Sequence, residues 1–359
     1  MSALAGLPSA LLALVSEAAP VEPPAEPRSD CARCPMAAAP GTALSRARPF
    51  LHDARCCTYH PRLPNFLVGS ALRRGGPGAE RLMARLASPE GVGAMGVDQP
   101  EAQARAYRER APSAFGRDRS LRCPYWVGGE HACGIWEDRG AVCRSWHCLH
   151  VDGRRGRALW GTLQEALEVA EYLLASDCVT AGQPPTGEAP DDWAAWYRWC
   201  AERVATLPRA DALALATPLL DRRLTALADA RAEHLAPLPE RVGPMVRAFR
   251  PEGEGVVLSA DSDLDTLTFP AAIFQLISRL DGRPWRQALA EAQEVLADLN
   301  AAPLPPDVVE RLWRAGLLEP REPGATTPAV RIRRGDDERT YETLPRLNAL
   351  NPTPGRVED

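Results

Sequence analysis

Eight of the ten cysteines in this 359-residue chain fall between Cys31 and Cys148. They form a pair (Cys31, Cys34), a doublet (Cys56, Cys57) and a later series of Cys123, Cys133, Cys143 and Cys148. Thiolates are soft, charged ligands. Several of them ionise side by side only where a cation offsets their repulsion. The group suits zinc, with Zn–S bonds of about 2.3 Å, or an iron–sulfur cluster held by four thiolates. Eight thiolates would fill two zinc sites, or one cluster and a second metal. The doublet argues against a zinc ribbon built on two CxxC knuckles, although adjacent cysteines can serve different metals. Two other readings of the set are free core thiols and a thiol-redox protein. His60, His147 and His150 lie beside these cysteines; each could ligate in place of a cysteine, but they read rather as surface or outer-layer groups. Arg139 and Arg144 flank the later thiols. Either they stabilise thiolate charge through hydrogen bonds, or they pair with Glu137 or Asp138 at the surface.

The elements that must position these residues are short. Leu4, Leu7, Leu11 and Val15 recur at helical spacing, so a helix starting near Pro8 is expected, packed on the domain rather than exported. A Pro-rich stretch, Pro20 to Pro27, follows it. Residues 31–153 are dense in Cys, Arg, Gly and Pro, with helical pieces near Phe66–Leu72 and Ala79–Leu86. Residues 87–122 read as loop and residues 151–156 as a turn. Residues 157–176 carry Leu159, Leu163, Leu167, Val169 and Leu173 in helical rhythm. A linker at 181–190 precedes a helix capped by Asp191 or Asp192, with Trp193, Trp196, Tyr197, Trp199 and Cys200 on a core face. Cys178 and Cys200 read as small buried hydrophobes. Helices continue to about Ala236.

Beyond Val242, Gly255–Ser259 and Leu264–Phe269 predict a β-hairpin. Helices are then expected at Ala271–Leu280, from Pro284 to about Leu299, and from Pro306 to Gly316. The fold class expected is mainly α, with an irregular metal-stapled N-terminal region and a small α+β winged-helix-like C-terminal domain. The divisions are 1–27 (helix and linker), 28–180 (cysteine-cluster domain), 191–240 (helical connector), 242–320 (winged-helix-like domain) and 321–359 (flexible tail).

Composition removes several functions. There is no lysine, so all 42 basic residues are arginine, and Schiff-base and Walker-type chemistry are excluded. A net charge of −5 gives no reason to expect nucleic acid. No apolar run reaches the roughly 20 residues that span a membrane. The expected compartment is the cytoplasm, where clustered cysteines favour metal or redox chemistry over disulfides.

One stretch carries a family resemblance. Cys133-Gly-Ile-Trp136-Glu137-Asp138-Arg139, then Cys143-Arg144, together with Cys31/Cys34 and Cys56/Cys57, resembles the YkgJ-type cysteine-cluster family, described as zinc- or iron-chelating proteins. The resemblance covers roughly residues 28–180, including Trp160, and implies that all eight cysteines are metal ligands. Two departures stand out. Here 21 residues separate Cys34 from Cys56, where the family has a few, which implies an insertion (Pro35–Arg55); Gly140 replaces the family's proline. Some relatives in that family are flagellin lysine methylases. The resemblance thus allows protein modification, including methylation dependent on S-adenosylmethionine, although no motif in this chain supports that cofactor. The alternative is a non-enzymatic zinc-stapled scaffold or peptide-binding protein.

Residues 242–320 also resemble PqqD-type domains, through Val256–Leu258, Phe269-Pro270, Leu280-Asp281-Gly282 and Leu312–Leu318. That resemblance implies a peptide or protein partner bound by strand addition. A DNA-reading winged helix is disfavoured because the third helix offers only Arg311 and Arg314. Asp261, Asp263 and Asp265 imitate a calcium loop, but Thr266 and Ala272 occupy its glycine and glutamate positions. The glycines at 75–76 and 91–96 give only a weak nucleotide signal, and no catalytic triad is evident.

Overall fold

In a computed structural model, the structure describes residues 4, 6–16, 25–26, 31, 34, 36–37, 50–128, 133–246, 248–252, 255–260, 266–323, 330–334 and 337–341. Of residues 248, 250–252, 330–334 and 337–341 only the backbone enters. The chain is mainly helical with small, mostly antiparallel sheets, and it divides into two compact units. The first comprises residues 1–148 and 159–231, the second 149–158 and 232–359.

The first unit begins with α1 (Ser9–Ser16), whose Leu11 and Leu14 are buried. Then come β1 (Leu63–Pro64), α2 (Asn65–Arg74), α3 (Gly76–Leu86), β2 (Val92–Gly93), β3 (Gly96–Val97), α4 (Glu101–Ala114) and α5 (Ala141–Ser145). The long α6 (Gly153–Ala181) opens in the second unit and continues through the first. α7 (Pro190–Thr206), α8 (Arg209–Ala214) and α9 (Pro218–Leu235) follow. The core gathers Leu11, Leu63, Phe66, Leu82, Tyr125, Leu163 and Tyr197. α2 lies tightly on α7: a Cβ added at Gly69 would sit 1.8 Å from the Tyr197 carbonyl oxygen. The small sheet β1-β3-β2 is tied to the same helix, since the Tyr197 hydroxyl donates to Gly93 O (2.9 Å) and Gly96 O (3.0 Å).

Four expectations change here. Residues 87–122 are not all loop, because α4 occupies 101–114. It buries none of its side chains, so it has no apolar stripe for periodicity to find; its Ala, Glu, Gln and Arg are good helix formers, but Pro112 interrupts them. The turn at 151–156 is the opening of α6, with Gly153 at φ +49°. Asp191 and Asp192 do not cap α7. Ala189 does, with Pro190 at the first position and both aspartates in the first turn, where their charge meets the helix dipole. Trp196, Tyr197 and Cys200 are buried as expected, but Trp199 is 40% exposed. Cys178 and Cys200 are both buried, and the Cys178 thiol donates to the Cys200 carbonyl (3.8 Å).

The second unit holds β4 (Val242–Pro244), β5 (Ala248–Glu252), β6 (Gly255–Ser259), β7 (Leu267–Pro270), α10 (Ile273–Ile277), α11 (Trp285–Asp298), α12 (Val308–Arg314), β8 (Leu318–Pro320), β9 (Val330–Arg334) and β10 (Asp337–Tyr341). The expected hairpin is β6–β7, antiparallel with Val256 opposite Phe269. It belongs to a sheet of order β10-β9-β5-β6-β7, and β4 pairs with β8. Gly316, at φ +69°, ends the α12 segment. Val246, Phe249, Phe269, Phe274, Leu276, Leu312 and Trp313 form a second core. Within the stretch 321–359, read as a tail, β9 pairs in parallel with β5, and β10 pairs with β9. Asp261, Asp263 and Asp265 and most of the Pro20–Pro27 stretch lie outside the described residues.

Candidate metal centre

Short connections rather than long elements carry the cysteines. The Cys123 amide donates to the Cys57 carbonyl (2.7 Å), which joins the doublet to the later series. Trp126 and Cys133 form an antiparallel bridge, and the Gly134 amide donates to Tyr125 O (2.9 Å), which brings the Cys123–Trp126 and Cys133–Gly134 segments together in a reversal. Gly78 and Gly134 permit α3 to lie against that reversal, since a Cβ at Gly78 would stand 2.1 Å from the Gly134 carbonyl oxygen. A 3₁₀ turn at Trp136–Asp138 leads to α5, which holds Cys143.

The early pair reaches the same place across the insertion. Arg55, just before the doublet, adopts a left-handed φ of 51°, an uncommon conformation for a residue with a side chain. Its guanidinium donates to the Cys31 carbonyl and to His52 O (3.2 Å), and lies 5.7 Å from the Trp126 ring. Residues 38–49 of the expected insertion lie outside the described residues.

The thiols sense one another's charge. Burial pushes Cys31 up to about 12, with Cys56, Cys148 and Cys34 adding to the shift and Arg139 opposing it. Burial also raises Cys123, Cys133 and Cys143, and Cys56 contributes to each rise. Cys56 itself is raised first by its hydrogen bond with Cys57 and then by burial. Cys56 therefore links the early cysteines to the later ones. All ten cysteines are free thiols. Among the described residues, no three or more His, Cys, Asp or Glu side chains are arranged to hold a metal ion. The thiols share a neighbourhood without a common centre.

Two features act against the rise. Backbone amides point at sulfur: burial raises Cys34, while the Met36 and Ala37 amides lower it; the Tyr125 amide acts likewise on Cys123, and the Ile135 amide on Cys133. Such N–H···S bonds favour the thiolate. The second feature is Arg139, which opposes the rise at Cys31, Cys56, Cys133 and Cys143. It stacks 3.5 Å from the Trp136 ring centre and donates to Trp136 O (2.9 Å) and Cys143 O (3.0 Å). Asp138 is buried and pairs with Arg74 (2.9 Å), and buried Arg144 donates to the Glu137 carbonyl (2.5 Å).

The neighbouring histidines are more buried than their sequence context implies. His60 and His150 are buried. Burial, then Arg85, pushes His60 down to about 4, and its Nε2 has no hydrogen-bond partner among the described residues. His147 packs 4.3 Å from the Trp160 ring centre.

Glu171 is a site residue that sequence reasoning missed. It is buried on α6, pushed up to about 8 by burial, and opposed by the Ala141 amide and Arg144; its charge adds to the rise at Cys143. A signal was present. Glu171 continues the four-residue spacing of Leu163 and Leu167, placing a carboxyl in an apolar stripe.

Chemically, raised thiols are poor nucleophiles at neutral pH, because the thiolate is the reactive form. The same thiols bind a soft divalent metal by releasing their protons to it. No protein family, curated protein or solved structure matches this chain.

Proposed function

We propose that residues 28–180 are a metal-binding cysteine cluster in which Cys31, Cys34, Cys56, Cys57, Cys123, Cys133, Cys143 and Cys148 hold zinc or an iron–sulfur cluster. One observation carries this reading: half-buried thiols from four separate chain segments sense each other through Cys56, while backbone amides and Arg139 favour their ionised form. A set of core thiols would need no such donors. A thiol-redox site would have lowered rather than raised thiols. Ligation would draw the thiols to a common centre and staple a loop-rich frame, as folding-coupled metal binding does.

Anaerobic purification with elemental analysis and a visible spectrum tests the reading. A brown protein with broad absorption near 400 nm identifies iron–sulfur, and a colourless zinc protein identifies a structural or non-redox centre. Replacing Cys143 and Cys148 by Ser should release metal in either case. Unchanged metal content in that variant would overturn the ligand assignment.

The function that fits this centre best is a cytoplasmic metal-cluster protein acting in protein or peptide modification. The second unit supports a partner-binding role, because β7 stands at the edge of its sheet, with β6 on one side only. An exposed edge of this kind accepts an extended peptide by strand addition, in keeping with a winged-helix-like, PqqD-like reading of 242–320. The competing reading is a zinc-stapled scaffold without activity. It predicts that chelation unfolds the first unit and changes no reaction.

A further inference from the structure

The second unit contains a cleft of about 810 Å³, within the range of ligand-binding pockets. It lies between the end of α9, the connection to β4, the start of α11 and the α12 region. None of its lining residues belongs to the hairpin β6–β7. Its walls combine apolar surface with excess negative charge. Leu235, 64% exposed, Pro237, Leu238, Pro306 and the Trp285 ring supply the apolar part. Four carboxylates, Asp152, Glu240, Asp307 and Glu310, face two guanidinium groups, Arg286 and Arg314.

The charge is unevenly committed. Glu310 is paired with Arg314 (2.5 Å), and Asp152 lies 3.5 Å from His234 Nε2. Arg286 rests 4.4 Å from the ring centre of Trp285. Glu240 and Asp307 have no ion-pair partner among the described residues; Asp307 precedes α12 without capping it through its side chain. The cleft thus offers two unpaired carboxylates beside an apolar wall. That combination suits a long aliphatic stem ending in a cation. The unit's own chemistry favours a planar cation, since both tryptophans carry a stacked guanidinium: Arg286 on Trp285, and Arg155 3.7 Å from the Trp313 ring centre.

We propose that this cleft receives the arginine side chain of an extended peptide segment, its stem on the Leu235–Trp285 wall and its guanidinium at Glu240 and Asp307. This inference is independent of the metal reading. It concerns the other unit, and its failure would leave the cysteine assignment untouched.

The test uses the full-length protein and the blocked peptide Ac-GSGSRSGSG-NH2, followed by tryptophan fluorescence and calorimetry at low salt. The control peptides carry citrulline or norleucine in place of arginine. The arginine peptide should saturate, and binding should weaken as salt rises. Citrulline keeps the shape and removes the charge, and should bind about tenfold more weakly. The double variant Glu240→Gln, Asp307→Asn replaces two exposed side chains. It should lose about tenfold in affinity for the arginine peptide, as two exposed ion pairs imply, while retaining the metal content of the parent. Equal binding of the norleucine peptide would make the cleft a plain apolar groove and overturn the inference. So would binding unaffected by the double variant, agmatine binding as tightly as the peptide, or no saturation up to about 1 mM peptide, a threshold near −4 kcal/mol.

Discussion

Gly69 and Gly161 both lie inside helices, and the same Gly→Ala substitution should have opposite effects at the two positions. At Gly161 in α6, a new Cβ meets nothing within 4 Å. The substitution removes the backbone freedom that glycine gives the unfolded chain, and should stabilise the protein by about 0.5–1 kcal/mol. At Gly69 in α2, the same methyl would stand 1.8 Å from the Tyr197 carbonyl oxygen and 2.9 Å from the Ala201 Cβ. Ordinary contact begins near 3.4 Å, so α2 and α7 must part by about 1.6 Å. A gap of that size forfeits much of the dispersion energy along the interface. It also strains the Tyr197 hydroxyl bonds to Gly93 O and Gly96 O, at 2.9 and 3.0 Å. After the helix-propensity gain is set against this loss, Gly69→Ala should cost about 2–4 kcal/mol. Urea unfolding followed by far-UV circular dichroism at fixed metal concentration measures both variants. A Gly69→Ala midpoint equal to or above that of the parent would refute the close approach of the two helices.

Three further outcomes are expected. If the cysteines hold metal as proposed, Arg139→Gln should weaken its affinity about 10–100-fold, the usual effect of removing an outer-layer partner, as read by competition with a chromophoric chelator. Glu171 has a folded value near 8 against an ordinary 4.5, so its contribution to stability is complete below about pH 4.5 and is lost as pH rises to 8. Glu171→Gln should therefore stabilise the metal-free protein at pH 8, by at most about 4–5 kcal/mol, and flatten this limb of the stability profile. His60 has the opposite sign. Lowered from 6.5 to about 4, it contributes stability that is present above pH 6.5 and lost as pH falls to 4. His60→Gln should remove up to about 3 kcal/mol of acid sensitivity, visible in melting temperatures between pH 4 and 7.

Much of the helical frame was legible because burial writes itself as spacing. Leu159, Leu163 and Leu167 mark α6, and the paired aromatics Trp196 and Tyr197 mark α7. α4 left no such mark because none of its side chains is buried. β9 was missed because its partner β5 lies far along the chain, whereas β5 itself pairs mainly with β6, the next strand in sequence. The cysteines announced the candidate site by type and spacing. Their convergence on Cys56, the amide donors at Met36, Tyr125 and Ile135, and the buried Glu171 depend on turn geometry and tertiary packing, which spacing does not encode. Arg139 was singled out, but its alternative role as an ion-pair partner of Asp138 falls to Arg74.

The division of the chain has a consequence for how the protein comes apart. Residues 149–158 belong to the second unit but interrupt the first, which resumes at residue 159. Within the second unit, Arg155 stacks on Trp313 and its guanidinium donates to Glu233 O (3.0 Å), while the Arg154 amide donates to Ala315 O (3.0 Å). A cut in the 182–189 connection would therefore leave each unit made of two fragments. Separating the fragments would split the first unit's hydrophobic core, which draws on both sides of the cut, and uncover the Trp313 ring on which Arg155 stacks. Such a nicked chain should travel as one particle until denatured, and a piece beginning at residue 242 should lack part of its own foundation.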